Sequence, residues 1–170
     1  SVGMTPEQFF ESFVEWNFAD FSEQPGDIRR GFNAAVSVSH LADHYFFHAK
    51  RYRPELVVQF HNLGIFVEHL SLQTAGAFRD VRSVSNVYKH LYTDKGRLSQ
   101  YSSVSSCGAI ESLKVESDED LLALVEDYVG GDEEGRMRVI VKRKDRSQFE
   151  LLPVLESVVK HFSELICASG

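Results

Sequence analysis

The sequence predicts a mainly α protein: a bundle of four to five helices, a β-hairpin appendage and a C-terminal helix that closes the bundle. Three observations carry this. From Thr5 to Tyr92 apolar residues recur at spacings of three and four, the signature of helices with one buried face. Only 4 prolines interrupt the chain, so long helices are permitted. Strict two-residue alternation appears only late, around Met137, Val139 and Val141, which places the β structure near the C-terminal end.

The first helix opens at Thr5-Pro6-Glu7, with Thr5 as N-cap and Pro6 in the first turn. Phe9, Phe13 and Trp16 repeat at helical spacing, widened by Phe10, Val14 and Phe21, and this stripe is expected to face a core. Pro25-Gly26 ends the segment and Asp27 can cap the next. The second helix is expected over Ile28–Arg51. Its apolar face holds Ala34, Val38, Leu41 and Tyr45 with Ala35, Ala42 and Phe46 beside it, and its small residues let a neighbouring helix approach closely. Its polar side carries Asn33, Ser37, His40 and His44, flanked by Asp43 and His48.

A third helix is expected over Pro54–Leu72, apolar around most of its circumference and so the most buried of the set. After a break near Gln73–Gly76, the fourth covers Ala75–Tyr92 and contains FRDVRSVSNVYKHL. Phe78, Val81, Val84, Tyr88 and Leu91 form its apolar stripe. Opposite that stripe, Arg82, Asn86 and His90 fall at i, i+4 and i+8 and stack along one face.

Beyond Tyr92 the character changes. Thr93–Gly96 reads as a turn, Gln100–Gly108 is rich in Ser, and Ala109–Val115 reads as a strand. Asp120–Val129 is helix or strand, followed by a loop at Gly130-Gly131-Asp132. Arg136–Leu152 is a hairpin turning at Lys144–Ser147, and Pro153 starts the last helix, with Val154, Leu155, Val158, Val159, Phe162 and Leu165 on its inner face. The whole, 1–170, is expected to be one domain: bundle 5–92, β-containing segment 93–152 and closing helix 153–168.

Composition narrows the function classes. A net charge of −7 disfavours binding nucleic acid over the whole surface, although a local basic patch is compatible with it. Glu116–Glu134 is acidic and Arg136–Arg146 basic. Either the two balance each other, the favoured reading, or Arg138, Lys142, Arg143 and Arg146 hold a small anion. Cys107 and Cys167 form no CxxC pair, and a reducing cytoplasm is the expectation. No apolar run is long enough for a membrane helix and no signal peptide is read, so no membrane partner is expected. A nucleophile elbow and a phosphate-cradling glycine loop are both missing.

The histidines form the sharpest metal-like pattern. His40 and His44, one turn apart, can share a divalent metal, with a third ligand from His61, His69 or His90. There is no HExxH. Histidines on a polar helix face are the plainer reading, and the expectation is no cofactor.

GFNAAVSVSHLADHYFF and FRDVRSVSNVYKHL resemble a group of uncharacterised bacterial and phage proteins, which in turn resemble HEPN-type four-helix bundles; RVIVKRKDRSQFELLPVLESVVKHF resembles that group's charged strand, turn and closing helix. The resemblance covers Thr5–Tyr92 and, more loosely, Arg136–Leu165. Many HEPN proteins are metal-independent ribonucleases that join an Arg and a His across a homodimer. The resemblance thus implies Arg82, Asn86 and His90 as catalytic candidates. His90 would be the general acid or base, Arg82 would stabilise phosphate charge and Asn86 would hold a phosphate or base. Seven residues separate Arg82 from His90, one more than the family pattern of four to six allows. Members without the motif act as binding partners. The leading expectation is therefore a non-catalytic module for RNA, a nucleotide or a protein partner. Asp43, His44 and Lys89 are its candidate binding residues, and whether the chain is an enzyme stays open at this level.

Overall fold

The computed structural model describes residues 3–90, 92–115 and 137–170. Leu91, Arg136, the acidic stretch Glu116–Glu134 and the segments expected at Asp120–Val129 and Gly130–Asp132 lie outside the described residues. What is described is mainly α, with a small three-stranded antiparallel sheet. Among the described residues no helix is long and apolar enough to cross a membrane.

The first helical rod is α1 (Pro6–Phe9), a π-helical turn (Phe10–Val14) and α2 (Glu15–Glu23). Thr5 and Gln8 form a reciprocal capping box, with the Thr5 side chain accepting from Gln8 N–H at 3.2 Å and Gln8 Oε1 accepting from Thr5 N–H at 2.9 Å. The predicted core stripe is corrected here. Phe10, Val14 and Phe21 are buried, whereas Phe13 is 43% and Trp16 69% exposed. Both sets recur at helical spacing, and the flanking helices, not the spacing, decide which one meets the core.

Asp27 caps α3 (Ile28–Tyr52), its carboxylate accepting from Arg30 N–H at 3.2 Å. Ala34, Ala35, Val38, Leu41, Ala42, Tyr45, Phe46 and Ala49 of this helix enter the core, as the sequence pattern foretells. Gly31 is needed because a Cβ there would lie 2.9 Å from Leu151 and 3.2 Å from the Phe21 ring.

The third predicted helix is not continuous. Pro54–Leu56 is a single 3₁₀ turn, and α4 (Leu63–Gln73) begins only where the Asn62 side chain accepts from Ile65 N–H at 2.9 Å. Nor is it the most buried: within α4 only Phe66 and Leu70 are buried, and Leu72 is 76% exposed. An apolar surround permits burial on every side, but only one side of α4 finds a neighbour. Gly76, at φ +87°, ends the connection in the left-handed region and starts α5 (Ala77–Lys89). Phe78, Val81 and Val84 are buried as predicted, but Val87 takes the place of Tyr88, which is exposed.

The strand expected near Ala109–Val115 is β1 (Ile110–Lys114) and pairs with β2 (Met137–Lys142), which pairs with β3 (Gln148–Glu150). The hairpin is thus two strands of a sheet in the order β1-β2-β3. It is docked on the bundle, with Val139 and Val141 in the core and Val139 N–H donating to Pro25 O at 3.0 Å. The closing helix, α6 (Leu151–Ser169), starts two residues earlier than Pro153 and takes in Leu152, which the sequence pattern assigned to the hairpin. It packs on α5, α2, α3 and β2 through Leu151, Leu155, Val158, Phe162 and Ile166.

Candidate functional site: a cleft between the first rod, α3 and α5

Helices α3 and α5 cross so that their polar flanks meet. Arg82 Nη1 donates to Asp43 Oδ1 at 2.9 Å, to Ser39 O at 3.2 Å and to Ser39 Oγ at 3.3 Å. A predicted catalytic residue and a predicted binding residue are thus each other's partners. Both side chains keep some solvent contact, so the pair is a partly screened surface ion pair.

Asn86 and His90 continue along α5 and are half-buried. His90 is the C-cap, where the backbone has turned extended at φ −117° and ψ 131°. Eight residues of helix correspond to about 12 Å of rise. Arg82 and His90 of one chain therefore do not converge on a single phosphate. Lys89 is exposed in the last turn, where its charge complements the carbonyl end of the helix dipole.

His44 does not pair with His40. Its Nε2 lies 2.5 Å from Met4 O, and its ring sits 5.2 Å from the Phe9 ring and stacks 6.3 Å from His48. His69 packs 4.8 Å from the Phe60 ring, on α4. Among the described residues no three His, Cys, Asp or Glu side chains are disposed to hold a metal ion, so this donor set does not fit the divalent-metal alternative. Both cysteines are free thiols.

Of the residues in the alternative anion patch on the hairpin, Arg138 and Arg143 have carboxylate partners. Arg143 donates to Asp80 from Nε at 3.0 Å and from Nη2 at 2.7 Å, and its guanidinium lies 4.5 Å from the Phe149 ring centre. The bond to Asp80 holds the Arg143 guanidinium above its ordinary pKa. Arg138 Nε lies 3.1 Å from Glu150 Oε1. The charge balance on this side of the molecule runs through Asp80 of α5 and Glu150 of β3.

Among the described residues, one open cleft of about 370 Å³ is lined by Phe9, Phe13, Asn17, Asn33, Val36, Ser37 and Tyr88. The first rod forms one wall, α3 the floor and the end of α5 the other wall. Phe9 and Phe13 pack at 5.1 Å, and Tyr88 rests on Phe32 of α3 at 5.1 Å. The rings continue away from the cleft as Phe9, His44, His48 and Tyr52, with 4.8 Å between the last two. Sequence reasoning assigned Phe9 and Phe13 to the core and did not select Asn17, Val36 or Tyr88 as site residues. The available signal was that Phe9, Phe13 and Asn17 repeat at i, i+4 and i+8, as Asn33 and Ser37 do at i, i+4. Comparison with known proteins finds no matching family model, no matching curated protein and no matching solved structure.

Proposed function

We propose that the chain is a non-catalytic binding module and that its ligand sits in the cleft over α3. The observation that carries this is the exposed aromatic lining, Phe13 and Tyr88 on opposite walls, with two amides, Asn17 and Asn33, to orient what enters. A mostly apolar concavity with a few convergent polar groups is the usual form of a binding site. Arg82, by contrast, is occupied by Asp43 and is poorly placed to take a phosphate. The HEPN-like reading belongs to this proposal and is supported by the two helix motifs and the bundle they form.

The second reading is a metal-independent ribonuclease using Arg82, Asn86 and His90 across a homodimer. It is favoured by one observation, that Arg82 and Asn86 on α5 and His90 at its C-cap are all half-buried. Incubation with single-stranded RNA in chelator separates the two. The binding module leaves the RNA intact, and so do its Arg82→Ala and His90→Ala variants. Chelator-resistant cleavage that disappears in His90→Ala overturns the non-catalytic reading.

A further inference from the structure

We infer that a basic surface at the start of α5 binds a single nucleic acid strand through its phosphates and one stacked base. It is a site apart from the cleft: Arg79 stands in the first turn of α5 and Tyr88 in its last, about 14 Å of helix away. Segments far apart in the chain build this surface. Lys144, at the hairpin turn, donates from Nζ to Thr93 O at 3.2 Å and to Ser99 O at 3.1 Å, and from its backbone N to Ser103 O at 2.9 Å. Arg79 Nη2 donates to Gln100 O at 3.3 Å. These bonds tie the 3₁₀ turn Gly96–Gln100, with Lys95 and Arg97, to the hairpin turn that carries Arg146.

Arg79, Lys95, Arg97, Lys144 and Arg146 are all exposed, and among the described residues no carboxylate forms an ion pair with any of them. Two exposed acids stand beside them, Asp94 and Asp145, and Asp145 accepts from the Ser147 N–H at 2.9 Å and the Ser147 hydroxyl at 2.5 Å. Arg146 holds φ +73°, a backbone position that favours glycine, so its charge is brought to the turn at a conformational cost. In a chain of net charge −7, cations gathered in this way set up a local positive field that attracts a polyanion. Tyr101, next to Gln100, is 69% exposed and offers a ring face for an unpaired base. A duplex keeps its bases stacked inside, and an acidic peptide meets the cations with no ring to lay on Tyr101.

The intact protein is titrated into short labelled oligothymidylate and oligouridylate and read by fluorescence anisotropy, with a DNA duplex and polyglutamate as competitors. Both single strands should bind. With Arg79, Lys95, Arg97 and Arg146 on phosphates, affinity should fall about fiftyfold between about 50 and 200 mM salt. Arg97→Gln combined with Arg146→Gly should weaken binding by about tenfold or more and make the salt dependence shallower. Glycine suits φ +73°, so the turn keeps its shape in that variant. Tyr101→Ala should weaken binding by about fivefold or more. Failure of both strands to bind at low salt overturns the inference, and so does an affinity that the double variant leaves unchanged. Competition by polyglutamate or duplex as effective as that of unlabelled single strand also overturns it, as does full affinity in Tyr101→Ala. Binding lost in Phe13→Ala but kept in the double variant assigns the strand to the cleft, which overturns this surface and leaves the cleft reading standing.

Discussion

Asp80 and Arg82 stand two residues apart on α5 and look to opposite sides of the molecule, each with an ion-pair partner. Asp80 is 6% exposed and is held by two guanidinium nitrogens of Arg143, Nε and Nη2, while the Ser103 hydroxyl donates to it at 2.7 Å. Arg82 meets Asp43 through one nitrogen at a half-open surface. The first pair joins the bundle to the hairpin turn and to the serine-rich connection. The second only decorates a helix crossing. Burial makes the difference: a carboxylate enclosed by protein must keep its partner, whereas one in water need not. The sheet side of α5 is therefore locked, and the side facing α3 is held by a weaker, half-open pair.

Four experiments break or sharpen this contrast. Arg143→Ala leaves Asp80 charged and enclosed, and should cost about 3–5 kcal/mol in denaturant unfolding. A loss below about 1 kcal/mol would remove the distinction between the two sides.

The second concerns Glu150, 1% exposed at the junction of β3 and α6, whose Oε2 accepts no hydrogen bond among the described residues. Burial pushes its carboxyl up to about 7, partly offset by Arg138. A folded pKa above the unfolded one means the proton is held more tightly in the folded state. The associated stability is complete below about pH 4.5 and is lost as pH rises through about 7, by up to roughly 3 kcal/mol. Glu150→Gln should flatten unfolding free energies across that window; an unchanged slope refutes the assignment.

Gly31→Val, at the contact of α3 with Phe21 and Leu151, should cost about 1–3 kcal/mol through overpacking, read as a lower melting temperature. The smallest effect is expected on the open side, where Arg82→Ala should cost less than about 1 kcal/mol. A larger loss there would show that the crossing of α3 and α5 depends on this pair.

Much of the fold was legible residue by residue. Thr5 and Asp27 announce helix starts because a cap is made with the backbone three residues on, and Pro25-Gly26 stops one helix before the next begins. Val139 and Val141 enter the core as their alternation predicts, but Ile140 between them is buried as well, so the centre of β2 is enclosed on both faces. Within the candidate site, Asp43 and Arg82 were each visible as polar residues on helix flanks, but their pairing was not, since it spans 39 positions in the chain. The exposed walls of the cleft were misread for a related cause: Phe13 and Phe10 carry equal hydrophobicity, and only the neighbours of each decide which is enclosed.

The sequence by itself therefore determined the helix starts at Thr5 and Asp27 and the stop at Pro25-Gly26, because those events depend on hydrogen bonds and steric limits within a few residues, but it did not place the break ahead of α4 or the start of α6. Tertiary structure alone decided that α4 is exposed on most sides, that Asp80 answers to Arg143, 63 positions away, and that Phe9, Phe13, Val36 and Tyr88 share one cleft. Burial and pairing across such distances belong to the packing of whole elements, which local pattern does not encode.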